Sequence, residues 1–133
     1  MQLRRSQLFV PGNDERKIRK ALDILSCDSI IFDLEDAVPP GEKQRAREII
    51  GQILSDHEWE KRSHAREICV RINQQGSPFY RQDIEAFKDS AYVSSIVIPK
   101  SETKSMRELH SLLPEKNLMP IIESARGFPK WRR

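Results

Sequence analysis

Five short apolar runs, separated by stretches with helical periodicity, constrain the fold of this chain more than any other feature. We predict strands at residues 7–10, 29–33, 68–72, 95–99 and 118–122. Apolar residues recur at helical spacing after residue 13 and again at residues 42–54, 80–89 and 103–113. Strands that alternate with helices are typical of a parallel sheet with crossover helices, so the predicted fold class is α/β.

The same alternation fits two architectures, a (β/α)8 barrel and an open doubly wound sheet. The sequence contains neither GxGxxG nor GxxxxGK[ST], and this weakens the nucleotide-binding alternative. A barrel takes about 250 residues and eight strands, whereas 133 residues have room for five. The predicted architecture is therefore a partial TIM (β/α)8 barrel, roughly the first five β/α units.

The charge composition argues against a nucleic-acid partner, because 23 basic and 20 acidic residues give a net charge of only +3. No apolar stretch approaches the roughly 18 residues that a membrane span requires. Because the sequence leads directly into the first predicted strand, we expect no signal peptide. Cys27 and Cys69 show no CxxC or metal-ligand spacing. We therefore predict a cytoplasmic protein with free thiols and without nucleic-acid or membrane partners.

An acidic motif, Asp-Leu-Glu-Asp at residues 33–36, follows the second predicted strand. Carboxylates at the exit of a buried strand are unfavourable unless they face water, a metal ion or a substrate. Alternation places Asp33 and Glu35 on one side, and Asp36 begins the loop. Two interpretations stay open from the residues alone: a solvated loop with Asp36 as a cap, or negative charge placed near a divalent cation or a substrate cation.

Arg71 lies inside the third apolar run, and its strand neighbours point the other way. An arginine directed into a barrel has to meet an anion to offset its lost solvation. One interpretation is a structural ion pair with Asp33 or Glu35. The other is recognition of a substrate carboxylate by the planar guanidinium group.

Lys100 and Glu123 follow the fourth and fifth predicted strands. Lys100 is either a cation of the site or a solvated loop residue. Glu123 is either a helix cap or ion-pair partner, or a ligand of Mg²⁺, which typically takes one or two carboxylates together with water and substrate oxygens. Charged residues that follow successive strands favour a site on the carboxyl-terminal rim of a barrel.

Four segments, taken together and in this order, resemble the citrate lyase beta-subunit family. They are residues 3–13 (LRRSQLFVPGN), 28–38 (DSIIFDLEDAV), 70–73 (VRIN) and 121–127 (IIESARG). The family belongs to the wider HpcH/HpaI aldolase group, which includes malyl-CoA lyase-like enzymes. Because the resemblance covers residues 3–127, we place the lyase domain at 1–127 and treat 128–133 as a basic tail outside the family.

The resemblance implies a Mg²⁺-dependent lyase that cleaves a carbon–carbon bond in a citryl- or malyl-type acyl thioester. The products are a 2-oxoacid and an acetyl thioester. By similarity, Arg71 is the catalytic and substrate-binding arginine, and Glu123 is one of two carboxylate ligands of the metal. Glu35 and Asp36 match acidic residues that hold the waters of the metal.

Arg4 and Arg5 match a region of the family close to the acyl thioester, so the resemblance implies that both bind substrate. The thioester is carried by coenzyme A or by an acyl carrier protein. The family resemblance also implies a homo-oligomer or the subunits of a lyase complex.

The chain departs from the family at its end. The second metal ligand of the family, an aspartate, follows a strand beyond residue 133, and Pro129 disfavours the helix that the family forms after Gly127. Five strands cannot close a barrel, so two of them are edges. We therefore expect the chain alone to be poorly stable, aggregated or self-assembled, and to have little or no lyase activity. The alternative function is a non-catalytic remnant or partner subunit that keeps the fold signature.

Overall fold

A five-stranded parallel sheet forms the centre of the computed structural model, which describes residues 3–123. Its strands lie side by side in chain order, and each neighbouring pair is parallel. A doubly wound sheet reverses its strand order at one point, whereas this order runs in a single direction, as in the wall of a barrel. The strands are β1 (Gln7–Pro11), β2 (Ser29–Asp33), β3 (Glu67–Arg71), β4 (Val93–Ile98) and β5 (Asn117–Pro120).

Four α-helices connect the strands within the described residues, together with two short 3₁₀ helices. The first helix begins after Asp14, whose carboxylate accepts a hydrogen bond of 3.0 Å from the Lys17 amide. None of the helices in residues 3–123 is long and apolar enough to cross a bilayer. The α-helices are α1 (Glu15–Ile24), α2 (Lys43–Ser55), α3 (Tyr80–Phe87) and α4 (Thr103–Leu112).

The two faces of the sheet have different surroundings because successive strand residues point to opposite sides. One face, with side chains such as Phe32 and Val70, packs in the main core with residues of the helices, such as Leu22. The opposite face carries a smaller apolar cluster that includes Ile31 and Cys69. In a barrel the face that lacks helices is the inner one.

The strand register arranges the inner face in layers. Ser29 lies opposite Glu67 where β2 and β3 begin, and Asp33 lies opposite Arg71 where they end. Ile31 and its neighbours form the apolar layer between these two polar layers. The edge of the sheet at which the parallel strands end, which we term the carboxyl edge, therefore receives the acidic motif and Arg71 together.

Gly12 allows the turn after β1 to approach the carboxyl edge. Its amide donates a hydrogen bond of 2.8 Å to the carbonyl oxygen of Asp33. A Cβ atom at this position would lie 2.7 Å from that oxygen and 3.0 Å from Cδ1 of Ile50. Only glycine permits this close approach without displacement of the end of β2.

The structure confirms the five predicted strands and four predicted helices within residues 3–123, with shifted ends. The largest shift at any end is two residues. It occurs where β4, predicted at 95–99, begins at Val93, where β5, predicted at 118–122, ends at Pro120, and where the helix predicted at 80–89 ends at Phe87. The predicted boundary between 1–127 and 128–133 lies outside the described residues.

Candidate active site

Arg71 and Asp33 form a two-pronged ion pair at the carboxyl edge. The Nε and Nη2 atoms of Arg71 donate hydrogen bonds of 2.8 and 2.6 Å to the two carboxylate oxygens of Asp33. The amides of Glu35 and Ala37 donate to the same oxygens at 2.8 and 3.1 Å. Burial acts to raise the pKa of Asp33, but these hydrogen bonds outweigh it and hold the pKa below its ordinary value.

One edge of the Arg71 guanidinium stays available beside this ion pair. Its Nη1 atom makes no hydrogen bond within residues 3–123, and lies 3.7 Å from Oε1 of Glu35. The ring of Phe9, which is 47% exposed, lies with its centroid 5.0 Å from Cζ of Arg71. The hydrogen bonds to Asp33 raise the pKa of Arg71, so the group keeps its charge. Arg71 therefore makes the ion pair and still presents one nitrogen.

Glu35 is a buried carboxylate without a hydrogen-bond partner. The residue is 7% exposed, and neither carboxylate oxygen accepts a hydrogen bond from the described part of the chain. Burial, with the charge of Asp36 as a second cause, raises the pKa of Glu35 above its ordinary value. Because an unsatisfied buried carboxylate is unfavourable, these two oxygens favour a site at which water, a metal ion or a substrate completes the bonding.

Lys43 shapes the loop that carries Glu35. Its ammonium group donates hydrogen bonds of 2.6 and 2.7 Å to the carbonyl oxygens of Leu34 and Glu35. Asn73 donates from Nδ2 to the same Leu34 oxygen at 3.0 Å. Burial lowers the pKa of Lys43. We did not predict Lys43 as a site residue. Its spacing of three residues from Ala46 places it on the inward face of α2, and this spacing is the sequence signal for a buried lysine.

A second buried network, also missed from the sequence, holds the loop after β3. The carboxylate of Asp83 accepts hydrogen bonds of 2.8 and 2.7 Å from the amide and Nδ2 of Asn73. Arg47 donates to its other oxygen at 2.8 Å. Since Asn73 also contacts Leu34, this network couples the loops that follow β2 and β3.

Lys100 and Glu123 also lie at the carboxyl edge, after β4 and β5. The Nζ atom of Lys100 is 3.9 Å from Oε2 of Glu35. Ser101 donates from its amide and its hydroxyl to the carbonyl oxygen of Ile121, at 3.1 and 2.9 Å. Glu123 is exposed two residues further on. The structure thus places Arg71, Glu35 and Lys100 in one cluster and puts Glu123 at the same edge of the sheet.

Arg4 and Arg5 lie at the opposite edge, where the strands begin. Arg4 donates from Nε and Nη2 to the two carboxylate oxygens of Glu67, both at 2.7 Å. Arg5 forms a similar pair with Asp28, with both hydrogen bonds at 3.1 Å. The structure therefore does not bring these two arginines together with Arg71, and their role in substrate binding stays a prediction.

Glu67 anchors the polar layer at that opposite edge. Besides Arg4, the hydroxyl of Ser29 donates to its carboxylate at 2.7 Å, and the hydroxyl of Ser95 donates to the other oxygen. The hydrogen bonds from Arg4 are the largest cause of a pKa of about 2 for Glu67. Its bonding is complete, in contrast to that of Glu35.

The carboxylates at the carboxyl edge fit a magnesium ion held by few protein ligands. Within residues 3–123 no three or more His, Cys, Asp or Glu side chains are close enough together to hold a metal ion by themselves. Mg²⁺ usually keeps several waters and binds one or two carboxylates. The two unpartnered oxygens of Glu35 and the exposed carboxylates of Asp36 and Glu123 provide acceptors for such waters or for the ion.

The family model for HpcH/HpaI aldolase/citrate lyase matches residues 5–130. The chain belongs to this family. A citrate lyase beta subunit from Leuconostoc mesenteroides subsp. cremoris is 39% identical over 137 residues, which cover 94% of this chain and 43% of the relative. A (3S)-malyl-CoA thioesterase from Cereibacter sphaeroides is 37% identical over 125 residues, covering 93% of this chain and 42% of the relative. The chain thus spans less than half the length of these relatives.

Solved structures of family members have the same arrangement of strands and helices. The citrate lyase beta subunit of M. tuberculosis complexed with oxaloacetate and magnesium superposes with a TM-score of 0.71 at 29% identity, over 91% of this chain and 48% of that one. The protein CitE of M. tuberculosis in complex with magnesium, acetoacetate and coenzyme A has a TM-score of 0.70 at 30% identity, over 91% and 40%. The predicted family and the partial barrel are both confirmed.

Proposed function

We propose that this chain carries part of the active site of a Mg²⁺-dependent lyase that cleaves a citryl- or malyl-type acyl thioester. The products are a 2-oxoacid and an acetyl thioester. The observation that carries the proposal is the cluster at the carboxyl edge, in which Arg71 is oriented by Asp33 and the buried Glu35 lacks hydrogen-bond partners. The magnesium, oxaloacetate and coenzyme A bound by solved relatives support the same chemistry.

The reaction explains why a fixed arginine belongs at this edge. Cleavage breaks the bond between the carbinol carbon and the carbon next to the thioester. The hydroxyl group loses its proton, and the released thioester enolate takes up a proton. A bound Mg²⁺ would polarise the oxygens of the 2-oxoacid as a Lewis acid. Arg71 presents Nη1 to a carboxylate or oxygen of the substrate, and Asp33 keeps the guanidinium in place while negative charge develops.

The acidic residues supply the metal side of the site. Glu123 would act as a direct ligand of Mg²⁺, and Glu35 and Asp36 would accept hydrogen bonds from waters on the ion. This assignment satisfies the two Glu35 oxygens that lack partners in the described chain. Lys43 and Asn73 hold the loop that positions Glu35.

The remaining parts of the proposal concern partners and location. The thioester is carried by coenzyme A or an acyl carrier protein, and the protein works as a homo-oligomer or within a lyase complex. Arg4 and Arg5 are kept as proposed substrate contacts. The free thiols of Cys27 and Cys69 accord with the proposed cytoplasmic location.

A cleavage assay tests this function. The protein is expressed from its complete reading frame and given citryl-, malyl- and citramalyl-CoA, with Mg²⁺ or with EDTA, and the released 2-oxoacid is measured. We expect release that requires Mg²⁺ and that falls at least about 100-fold in Arg71→Lys, because lysine cannot keep the two-pronged contact with Asp33.

Arg107→Lys is the matched control, because Arg107 is exposed on α4. A folded protein that releases no 2-oxoacid from any of the three thioesters would contradict the proposal and favour the non-catalytic alternative. Equal activity of the Arg71 and Arg107 variants would contradict the role given to Arg71.

A further inference from the structure

Lys100 has an unusual backbone conformation for its residue type. Its φ is +46°, and it is the one non-glycine residue with positive φ among residues 3–123. This left-handed region is unfavourable for a side chain that carries a Cβ atom, and residues held in it cluster at functional sites. The position directly follows the short link after β4, at the carboxyl edge.

The turn that contains Lys100 is tethered to the neighbouring strand. Ser101 is buried, and its amide and hydroxyl both donate to the carbonyl oxygen of Ile121. These two bonds hold the residue after Lys100 against the end of β5, two residues before Glu123. The turn at Lys100 is therefore tied to the segment that leads from β5 to the proposed metal ligand.

The ammonium group of Lys100 makes no hydrogen bond within residues 3–123. Its side chain is 49% exposed and its nearest anion within the described residues is Glu35, at 3.9 Å, a separation too long for a hydrogen bond. On the other side of Glu35, Nη1 of Arg71 lies at 3.7 Å, also without a hydrogen bond. Two cationic groups therefore flank one buried carboxylate, and both keep donors free.

We propose that Lys100 binds a second carboxylate of the substrate and thereby selects thioesters whose 2-oxoacid product is dicarboxylic. The inference rests on the proposed function and names the substrate class of that site. Arg71 uses Nε and Nη2 on Asp33, so its Nη1 serves one substrate carboxylate or oxygen. A citryl group carries a further carboxylate, which Lys100 neutralises, whereas a malyl group has none to offer it.

Binding of the product acids tests the selection without turnover. Oxaloacetate, which is dicarboxylic, and pyruvate, which is monocarboxylic, are titrated into the complete protein in the presence of Mg²⁺ by calorimetry. Lys100→Met should weaken oxaloacetate binding about tenfold, as expected for one half-exposed charge-assisted hydrogen bond, and should change pyruvate binding by less than about twofold. Lys104→Met, on the exposed side of α4, is the control and should change neither.

Lys100→Gly separates charge from folding, because glycine accepts positive φ and removes the ammonium group. It should lose oxaloacetate affinity as Lys100→Met does, while Lys100→Arg should keep most of it. Equal losses for both acids, or unchanged oxaloacetate affinity in Lys100→Met and Lys100→Gly, would overturn the inference and leave the proposed function standing. A wild-type protein that binds none of oxaloacetate, pyruvate and glyoxylate with Mg²⁺ would overturn the proposed function itself, since these are the 2-oxoacids released from citryl, citramalyl and malyl groups.

Discussion

Replacement of Asp33 by asparagine is the sharpest test of the ion pair at the carboxyl edge. The carboxylate of Asp33 accepts four hydrogen bonds, two from Arg71 and one each from the amides of Glu35 and Ala37. In Asp33→Asn the Oδ1 atom keeps two of these donors. The new Nδ2 group replaces the oxygen that accepted hydrogen bonds from the Ala37 amide and Nη2 of Arg71. Because Nδ2 is itself a donor, both of these hydrogen bonds are lost.

The expected loss of stability follows from those two contacts. Both are hydrogen bonds to a charged carboxylate, and a hydrogen bond of this kind contributes about 1.5–3 kcal/mol. Asp33 is 2% exposed, so solvent does little to replace either of them. We therefore expect Asp33→Asn to lower the free energy of unfolding by about 3 kcal/mol, near the lower limit for breaking a buried ion pair.

Urea unfolding followed by circular dichroism measures this loss, with Asp36→Asn as the matched control, because Asp36 is exposed in the same loop. The control should stay within about 0.5 kcal/mol of wild type. Because the folded pKa of Asp33 is lowered, its contribution is present above the ordinary aspartate pKa and is lost as the pH falls through the folded value. A deficit of Asp33→Asn no larger than that of the control at pH 7 would refute the account of the ion pair.

Three further predictions concern the residues around this pair. Glu35→Gln should raise the free energy of unfolding by about 1 kcal/mol at pH 7, because it removes a buried charge. This gain should disappear as the pH falls through the raised pKa of Glu35, and urea titrations at pH 7 and below that pKa measure it. Arg4→Met should lower the free energy of unfolding by about 2 kcal/mol at pH 7, because it leaves the buried Glu67 charge unpaired. In urea titrations this difference in stability should vanish as the pH falls towards about 2, the pKa of Glu67. If Arg4 binds substrate, the same variant should also bind oxaloacetate more weakly, and unchanged binding would exclude that role. Gly12→Ala should lower the free energy of unfolding by about 1–3 kcal/mol, and with it the melting temperature, because the new Cβ clashes with the Asp33 carbonyl oxygen. Gly41→Ala is the control and should change neither, because no atom lies within 4 Å of its new Cβ.

The part of the site that the sequence predicts correctly depends on strand ends. Alternation of strands and helices implies a parallel sheet, and parallel strands bring their carboxyl ends to one edge. In the structure Asp33 and Arg71 end β2 and β3 and lie opposite each other in the register. Their ion pair is one of the two interpretations that the sequence leaves open for Arg71, and the structure shows that Asp33 is the hydrogen-bonded partner.

The parts that could not be predicted depend on long-range partners off the strands. The sequence does not show that Glu67, at the beginning of β3, accepts two hydrogen bonds from Arg4 at the edge where the strands begin. Nor does it show that Lys43 turns back from α2 to the loop of Glu35, or that Asp83 holds Asn73. These contacts join residues on different elements, and helical periodicity specifies only that Lys43 and Asp83 face inward.

Binding of oxaloacetate to the wild-type protein and to Arg71→Met, measured by calorimetry with Mg²⁺ and with EDTA, tests the central claim most directly. The claim is that the carboxyl edge forms a magnesium-dependent site for the 2-oxoacid around Arg71. We predict saturable binding to wild type with Mg²⁺, none with EDTA, and at least about tenfold weaker binding to Arg71→Met, since a charged donor is lost. Equal affinity with Mg²⁺ and with EDTA, or equal affinity of the two proteins, would contradict it.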